Sequence, residues 1–173
     1  IDTAVDVINE VGDIREVTLT QIAKEAGVSP ATAYNHFPDR MEDVFSAIVH
    51  ARMDVAANMG ATLADESLSV IEKLKQIPVT YAENLVSLGY AGKVIVVQMF
   101  NLVNVNKWLD QDPVQAITAL LSNSEEYQDR ADEIAVNMAT AFRGAMFEYA
   151  LNIGDHELFL SLIHISEPTR PSI

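Results

Sequence analysis

The 173-residue sequence predicts an all-α fold, with a head of three short helices set on a larger helical bundle. Three observations carry that prediction. Apolar residues recur at steps of three and four through most of the chain. Capping Ser, Thr and Asp residues and terminal glycines punctuate the pattern, closely spaced near the N-terminus and further apart beyond it. Residues of hydrophobic type make up 49% of the chain, which at this length supplies a core. The expected units are a head over residues 1–45, a body over 46–159 and a tail over 160–173.

The head follows from its start and stop signals. Ala4, Val5, Ile8 and Val11 form one stripe, so a helix runs to Val11 and stops before Gly12, and the sequence begins partway along it. Asp13 to Glu16 read as a loop. Thr18 is an N-cap with Gln21 three residues on, and Val17 and Ile22 are placed to staple that cap. The helix beginning at Leu19 should carry Leu19, Ile22, Ala23 and Ala26 inward and stop at Gly27. Ser29 and Pro30 then open a second helix reaching His36, because proline at the first helical position loses nothing. Its apolar side is Ala33 and Phe37, which leaves Ala31, Thr32, Tyr34, Asn35 and His36 outward. Pro38 ends it, and Asp39 with Glu42 starts a third helix by the same capping logic.

Two short helices joined by a glycine-containing turn form the unit that lays its second helix in a DNA major groove. The outward residues suit that role. Thr32 offers a methyl and a hydroxyl to a base edge, Asn35 can pair with adenine, and Tyr34 and His36 can donate to phosphate oxygens. Small Ala31 permits close approach, while backbone N–H groups near Thr18 and Asp39 attract anions beside Arg40. The full candidate DNA-contacting set is Thr18, Thr20, Ser29, Pro30, Ala31, Thr32, Tyr34, Asn35, His36 and Arg40.

The run TLTQIAKEAGVSPATAYNHFPDR resembles the DNA-binding domain of the tetracycline-repressor (TetR) family, whose signature ends in the Tyr-x-His-Phe that Tyr34 to Phe37 reproduce. The resemblance covers about a quarter of the chain. It implies an all-helical, homodimeric, ligand-responsive repressor. It also implies that the short second helix enters the groove and that Arg40, at the start of the next helix, contacts phosphate. Ala33 stands where the family more often has a larger apolar residue, and Asn35 where a basic or aromatic one is common.

The body begins on the helix from Asp39, whose Val44, Ile48, Ala51, Val55 and Met59 predict a rod of roughly 30 Å running to Gly60, able to couple body to head. Ala61 to Ser67 read as a loop. Ser69 with Glu72 caps the next helix, Pro78 predicts a kink or break near Ile77, and the pattern resumes through Tyr81, Leu85 and Leu88 before Gly89 and Gly92. Lys93 to Leu109 is the most apolar stretch. It is too short, and too interrupted by Asn101, Asn104 and Asn106, to cross a membrane. Those asparagines read either as polar contacts for a ligand or as an exposed or backbone-bonded face. Asp112 and Pro113 open a short helix to Leu121, and Ser124 caps a long one from Glu125 to about Ile153.

That last helix carries two adjoining stripes, one of Ala131, Ile134, Met138, Ala141 and Ala145, the other of Ala135, Ala139, Phe142, Met146, Tyr149 and Ile153. One core needs one face. The second, through Ala135, Ala139, Phe142, Met146 and Tyr149, is therefore the candidate homodimer seam, with Gly144 and the alanines permitting close approach. The TetR resemblance implies dimerisation through the last two helices, and AFRGAMFEYAL resembles the first of them. Leu160 to Arg170, LSLIHISEPTR, reads as the translation of a sequencing-library adapter and is left out of the fold argument.

Composition limits the chemistry. The absence of cysteine excludes disulfides and thiolate metal sites and fits a cytoplasmic setting. The histidines at 36, 50, 156 and 164 lack ligand spacing, and no nucleophile elbow, phosphate loop or dinucleotide turn is present, so neither an enzyme nor a metal or other cofactor is expected. Tyr81, Leu85, Met99, Phe100, Trp108, Met138 and Phe142 are candidates either for the wall of a pocket taking a small apolar or amphipathic effector or for ordinary core. The net charge of −14 opposes affinity for a polyanion. It keeps a second reading open, that of a helical protein-interaction module retaining the turn as scaffold.

Overall fold

The computed structural model describes residues 1–53, 55–101 and 113–151. Among them there is no strand. The helices are α1 (Asp2–Val11), α2 (Leu19–Glu25), α3 (Pro30–His36), α4 (Met41–Met53), α5 (Val55–Ala64), α6 (Val70–Ser87), α7 (Tyr90–Asn101), α8 (Pro113–Ser122) and α9 (Ala131–Leu151).

The head forms as its caps dictate. Thr18 Oγ1 accepts from the Gln21 N–H at 3.2 Å, and Ser29 Oγ from the Thr32 N–H at 3.1 Å. Gly27 takes a left-handed φ of 70° and closes α2. The Val28 N–H reaches back to the Ala23 carbonyl and the Gly27 N–H to that of Lys24, the paired bonds of a Schellman turn. Leu19, Ile22 and Ala23 are buried as expected, whereas Ala26 is exposed, because the chain has already begun to turn away from the core there. The expected loop from Asp13 is tighter than a loop. Ile14–Glu16 is a turn of 3-10 helix whose cap is the Asp13 carboxylate, accepting from the Arg15 N–H at 3.0 Å.

Further along, several boundaries move. α4 starts at Met41 rather than at Asp39, and the carboxylate that the Asp39 N–H meets is Asp43, at 2.7 Å. Ala51, expected on the inward stripe, is exposed. Gly60 ends nothing, since α5 continues to Ala64 and shortens the expected loop. Asp54, between α4 and α5, lies outside the described residues, as do Asn104, Asn106 and Trp108. Ser69 and Glu72 form a complete capping box for α6. The helix then runs through Pro78 without a break. Leu74, Ala82 and Leu85 on its inward face are all buried, and this packing outweighs the one backbone bond that proline removes. α9 starts at Ala131, six residues later than expected, after a 3-10 turn over Gln128–Arg130.

The core does not stop at the head. One buried cluster runs from Ala4, Val5 and Ile8 of α1 through Val44 and Ile48 of α4, Leu85 of α6 and Ile95 of α7 to Tyr149 of α9. A smaller cluster joins Leu74 to Ile117 and Leu121 of α8 and to Ala131 and Ala135 of α9. Lys93 of α7 is buried, its ammonium 5.1 Å from the centre of the Tyr149 ring, and desolvation holds its pKa below the usual lysine value.

α9 corrects the assignment of its two stripes. Ala135, Ala139, Met146 and Tyr149, expected at a dimer seam, are buried in the chain's own core, and Phe142 is half-buried against Tyr81. The reason is that α9 packs on both α7 and α8, which together cover that stripe. The face left outward carries Val136, Phe147 and Leu151, 52%, 45% and 57% exposed.

Candidate nucleic-acid interface

All ten residues of the candidate DNA-contacting set are exposed. α3 is held by Ala33, 5% exposed, and by half-buried Phe37, so one side of a seven-residue helix faces the core and the other faces solvent. Ala31, Thr32, Tyr34, Asn35 and His36 occupy that outer side.

Three elements converge on Tyr34. Its hydroxyl lies 3.3 Å from Thr20 Oγ1 of α2, and the Arg40 guanidinium stands 5.9 Å from its ring centre. Arg40 is the only non-glycine residue with a positive φ among those described, at 57°. Its N–H donates to the Phe37 carbonyl, and its own carbonyl accepts from the Val44 N–H, the first bond of α4. Two hydroxyls and one guanidinium thus share a small surface at the edge of α3, which is the donor set that a phosphate oxygen takes. The sequence supplied each residue. The left-handed conformation that turns Arg40 towards Tyr34 has no signature there, since αL is normally a glycine or asparagine position.

Thr32 is partly engaged. Its Oγ1 lies 2.8 Å from Ser29 Oγ, so in the free protein the hydroxyl is engaged with the cap. Arg15, one of the few cations of the head, is paired with Asp13. The guanidinium holds the Asp13 carboxyl at about 2, well under the ordinary value, by hydrogen bonding. Lys24 of α2 and Arg40, just before α4, are exposed.

The residues expected to wall a pocket are scattered. Tyr81 borders a cavity of about 20 Å³ with Met53, Met59, Ile77 and Asn84, room for roughly one water. Burial pushes its phenol pKa up. Leu85 and Met99 are core, Met138 packs on the smaller cluster, and Phe100 is 45% exposed with its ring edge-on to Phe147. Of the described members of the set, Tyr81 alone borders that cavity. In an apolar helix such as α7 the sequence marks no inward face, and packing chose Ile95 and Val96 over Val97 and Phe100. Among the described residues no group of His, Cys, Asp or Glu could hold a metal ion, and no helix is long and apolar enough to cross a membrane.

Comparison with known proteins places the head. Residues 1–48 match the family model described as bacterial regulatory proteins, tetR family. The searches of curated proteins and of solved structures return no match. The matched segment holds α1 to α3, the Thr20–Tyr34–Arg40 convergence and the start of α4. Residues 1–48 thus form a DNA-binding helix-turn-helix head similar to that of the tetR family of bacterial regulatory proteins.

Proposed function

We propose that the chain is a cytoplasmic, ligand-responsive transcriptional repressor, not an enzyme, that binds a palindromic double-stranded operator as a homodimer. The observation that carries this reading is the outer side of α3, where base-reading groups on Thr32 and Asn35 lie beside the phosphate-reading set of Thr20, Tyr34 and Arg40. In this reading Thr18, Ser29, Pro30, Ala31 and His36 complete the contact. Residues 1–45 act as the head and 46–159 as the receptor and dimerisation body.

The partner copy is assigned to the outward face of α9, Val136, Phe147 and Leu151, continued onto Val97 and Phe100 of α7. Exposed apolar side chains so grouped favour association. The effector is a small apolar or amphipathic molecule. The cavity beside Tyr81 is far below ligand size, so its entry has to move α6 against α4 and α5.

The acidity of the chain supports a second reading, a helical interaction module whose turn is scaffold. An electrophoretic shift with the DNA upstream of the coding sequence, titrated with salt, decides between them. A regulator shifts it at low salt, with affinity falling steeply as salt rises. Thr32→Ala and Asn35→Ala should then alter preference at individual base pairs by about 1–3 kcal/mol, while Tyr34→Ala weakens all sequences alike. No shift by an intact dimer at any salt would favour the interaction module.

A further inference from the structure

The head and the body exchange backbone caps at one corner. α7 begins at Tyr90, so the N–H groups of its first turn have no partner inside the helix. One of them, on Ala91, donates to Asn9 Oδ1 at 3.0 Å, and Asn9 belongs to α1, 82 residues earlier. In the opposite direction Tyr90, the first residue of α7, extends its hydroxyl to the head. There it accepts from the Ile14 N–H at 3.3 Å. Ile14 opens the 3-10 turn that leads towards α2, so its N–H too lacks a partner within its own element.

Both bonds fall at the corner where α6 gives way to α7. Ala91 is fully buried there, and Leu88 belongs to the cluster that continues into Val5 and Ile8 of α1. α6 also reaches the other connection to the head, since Asn84 Nδ2 donates to the Met53 carbonyl of α4 at 3.4 Å. The end of α6 is thus tied to the head along two routes. The Asn9 and Tyr90 bonds are neutral and lie at a partly exposed edge, so they can open without disrupting the buried cluster.

We propose that Asn9 and Tyr90 are positioning residues that set the angle of the DNA-reading head on the body, so that a movement of α6 reaches α2 and α3 through α1 and the 3-10 turn as well as through α4. The inference rests on the regulator reading for its consequence, and on the two bonds for its existence.

The chain has no cysteine, which makes paired labelling direct. Spin labels at Lys24→Cys on α2 and Glu126→Cys in the body, both exposed positions, report the head-to-body distance in protein diluted with unlabelled chain. Asn9→Ala and Tyr90→Phe should each broaden that distance distribution. Exchange should speed up about fivefold at the Ala91 amide in the first variant and at the Ile14 amide in the second, the factor that one net hydrogen bond supplies. Asn9→Asp keeps an acceptor at the N-terminus of α7 and should restore the original width. Unchanged widths in Asn9→Ala and Tyr90→Phe, or an Asn9→Asp protein as broad as Asn9→Ala, would overturn the proposal. Neither readout uses DNA. The expected broadening in the variants, together with an unsubstituted protein that shifts no DNA, would sink the regulator reading and leave the junction standing.

Discussion

Arg40 holds a conformation that its own chemistry disfavours. A left-handed backbone costs a residue with a Cβ roughly 1–2 kcal/mol relative to glycine, and the guanidinium over Tyr34 is what that geometry presents. Arg40→Gly should therefore relieve strain while loosening the unfolded chain, with a net stability change within about 1 kcal/mol. DNA affinity should fall, with the salt slope shallower by ~0.9 for one lost phosphate contact. Denaturant melts and salt titrations on the same variant check both, and a loss of stability well beyond that range would mean that the side chain supports the fold. Asp13 makes a pH prediction. Its folded pKa of about 2 lies below the ordinary 3.8, so the pairing with Arg15 stabilises the head above pH 4 and is lost as pH falls towards 2. Arg15 is largely exposed to solvent, so the effect is small and screened by salt. Asp13→Asn should lower the thermal midpoint slightly at neutral pH and low salt and leave it unchanged near pH 2, so the acid side of the profile flattens.

At the scale of elements, α6 and α7 meet in a corner that permits almost no substitution. A Cβ on Gly92 would stand 2.2 Å from the Leu85 carbonyl oxygen, which is backbone and cannot rotate aside. Gly92→Ala should destabilise the chain by about 1–3 kcal/mol, read from chemical denaturation, because the two helices must separate to admit one methyl. A neutral outcome would show that the corner is more compliant than its spacing implies. α6 also shows how tertiary packing overrides a local signal. Pro78 predicts a break, yet the capping box at Ser69 and Glu72 nucleates the helix on one side and Ala82 and Leu85 bury it on the other.

For the whole molecule, net charge and apolar surface set opposite expectations. A chain at −14 repels DNA at long range, so a specific complex depends on two heads bound at once and on a local cluster of donors. On the proposed reading, dimerisation is then a condition of operator binding. Phe147→Glu, placed on the outward face of α9 beside Phe100, should convert the proposed dimer to monomer in sedimentation experiments without lowering the thermal midpoint of the monomer. Operator binding should fall with it. A Phe147→Glu protein that remains dimeric would remove this face from the assembly.

The sequence by itself determined α2 and α3 almost to the residue, because caps, a C-terminal glycine and a proline at the first helical position are local devices that act through the backbone of their own segment. It also determined which side chains of α3 point outward, since Ala33 and Phe37 fix the one apolar side of a short helix. What only the tertiary structure decided is everything that depends on a choice between equivalent faces. α9 carries two apolar stripes, and packing drew on both, burying Ala131 and Ala145 of one along with Ala135 and Tyr149 of the other and leaving Val136, Phe147 and Leu151 outward. α7 is apolar nearly all round, and packing turned Phe100 out. The conformation of Arg40 and the exchange of caps between Asn9, Ala91, Tyr90 and Ile14 join residues with no local pattern between them. Periodicity reports that a helix has something to bury, and only the packed neighbours determine against what.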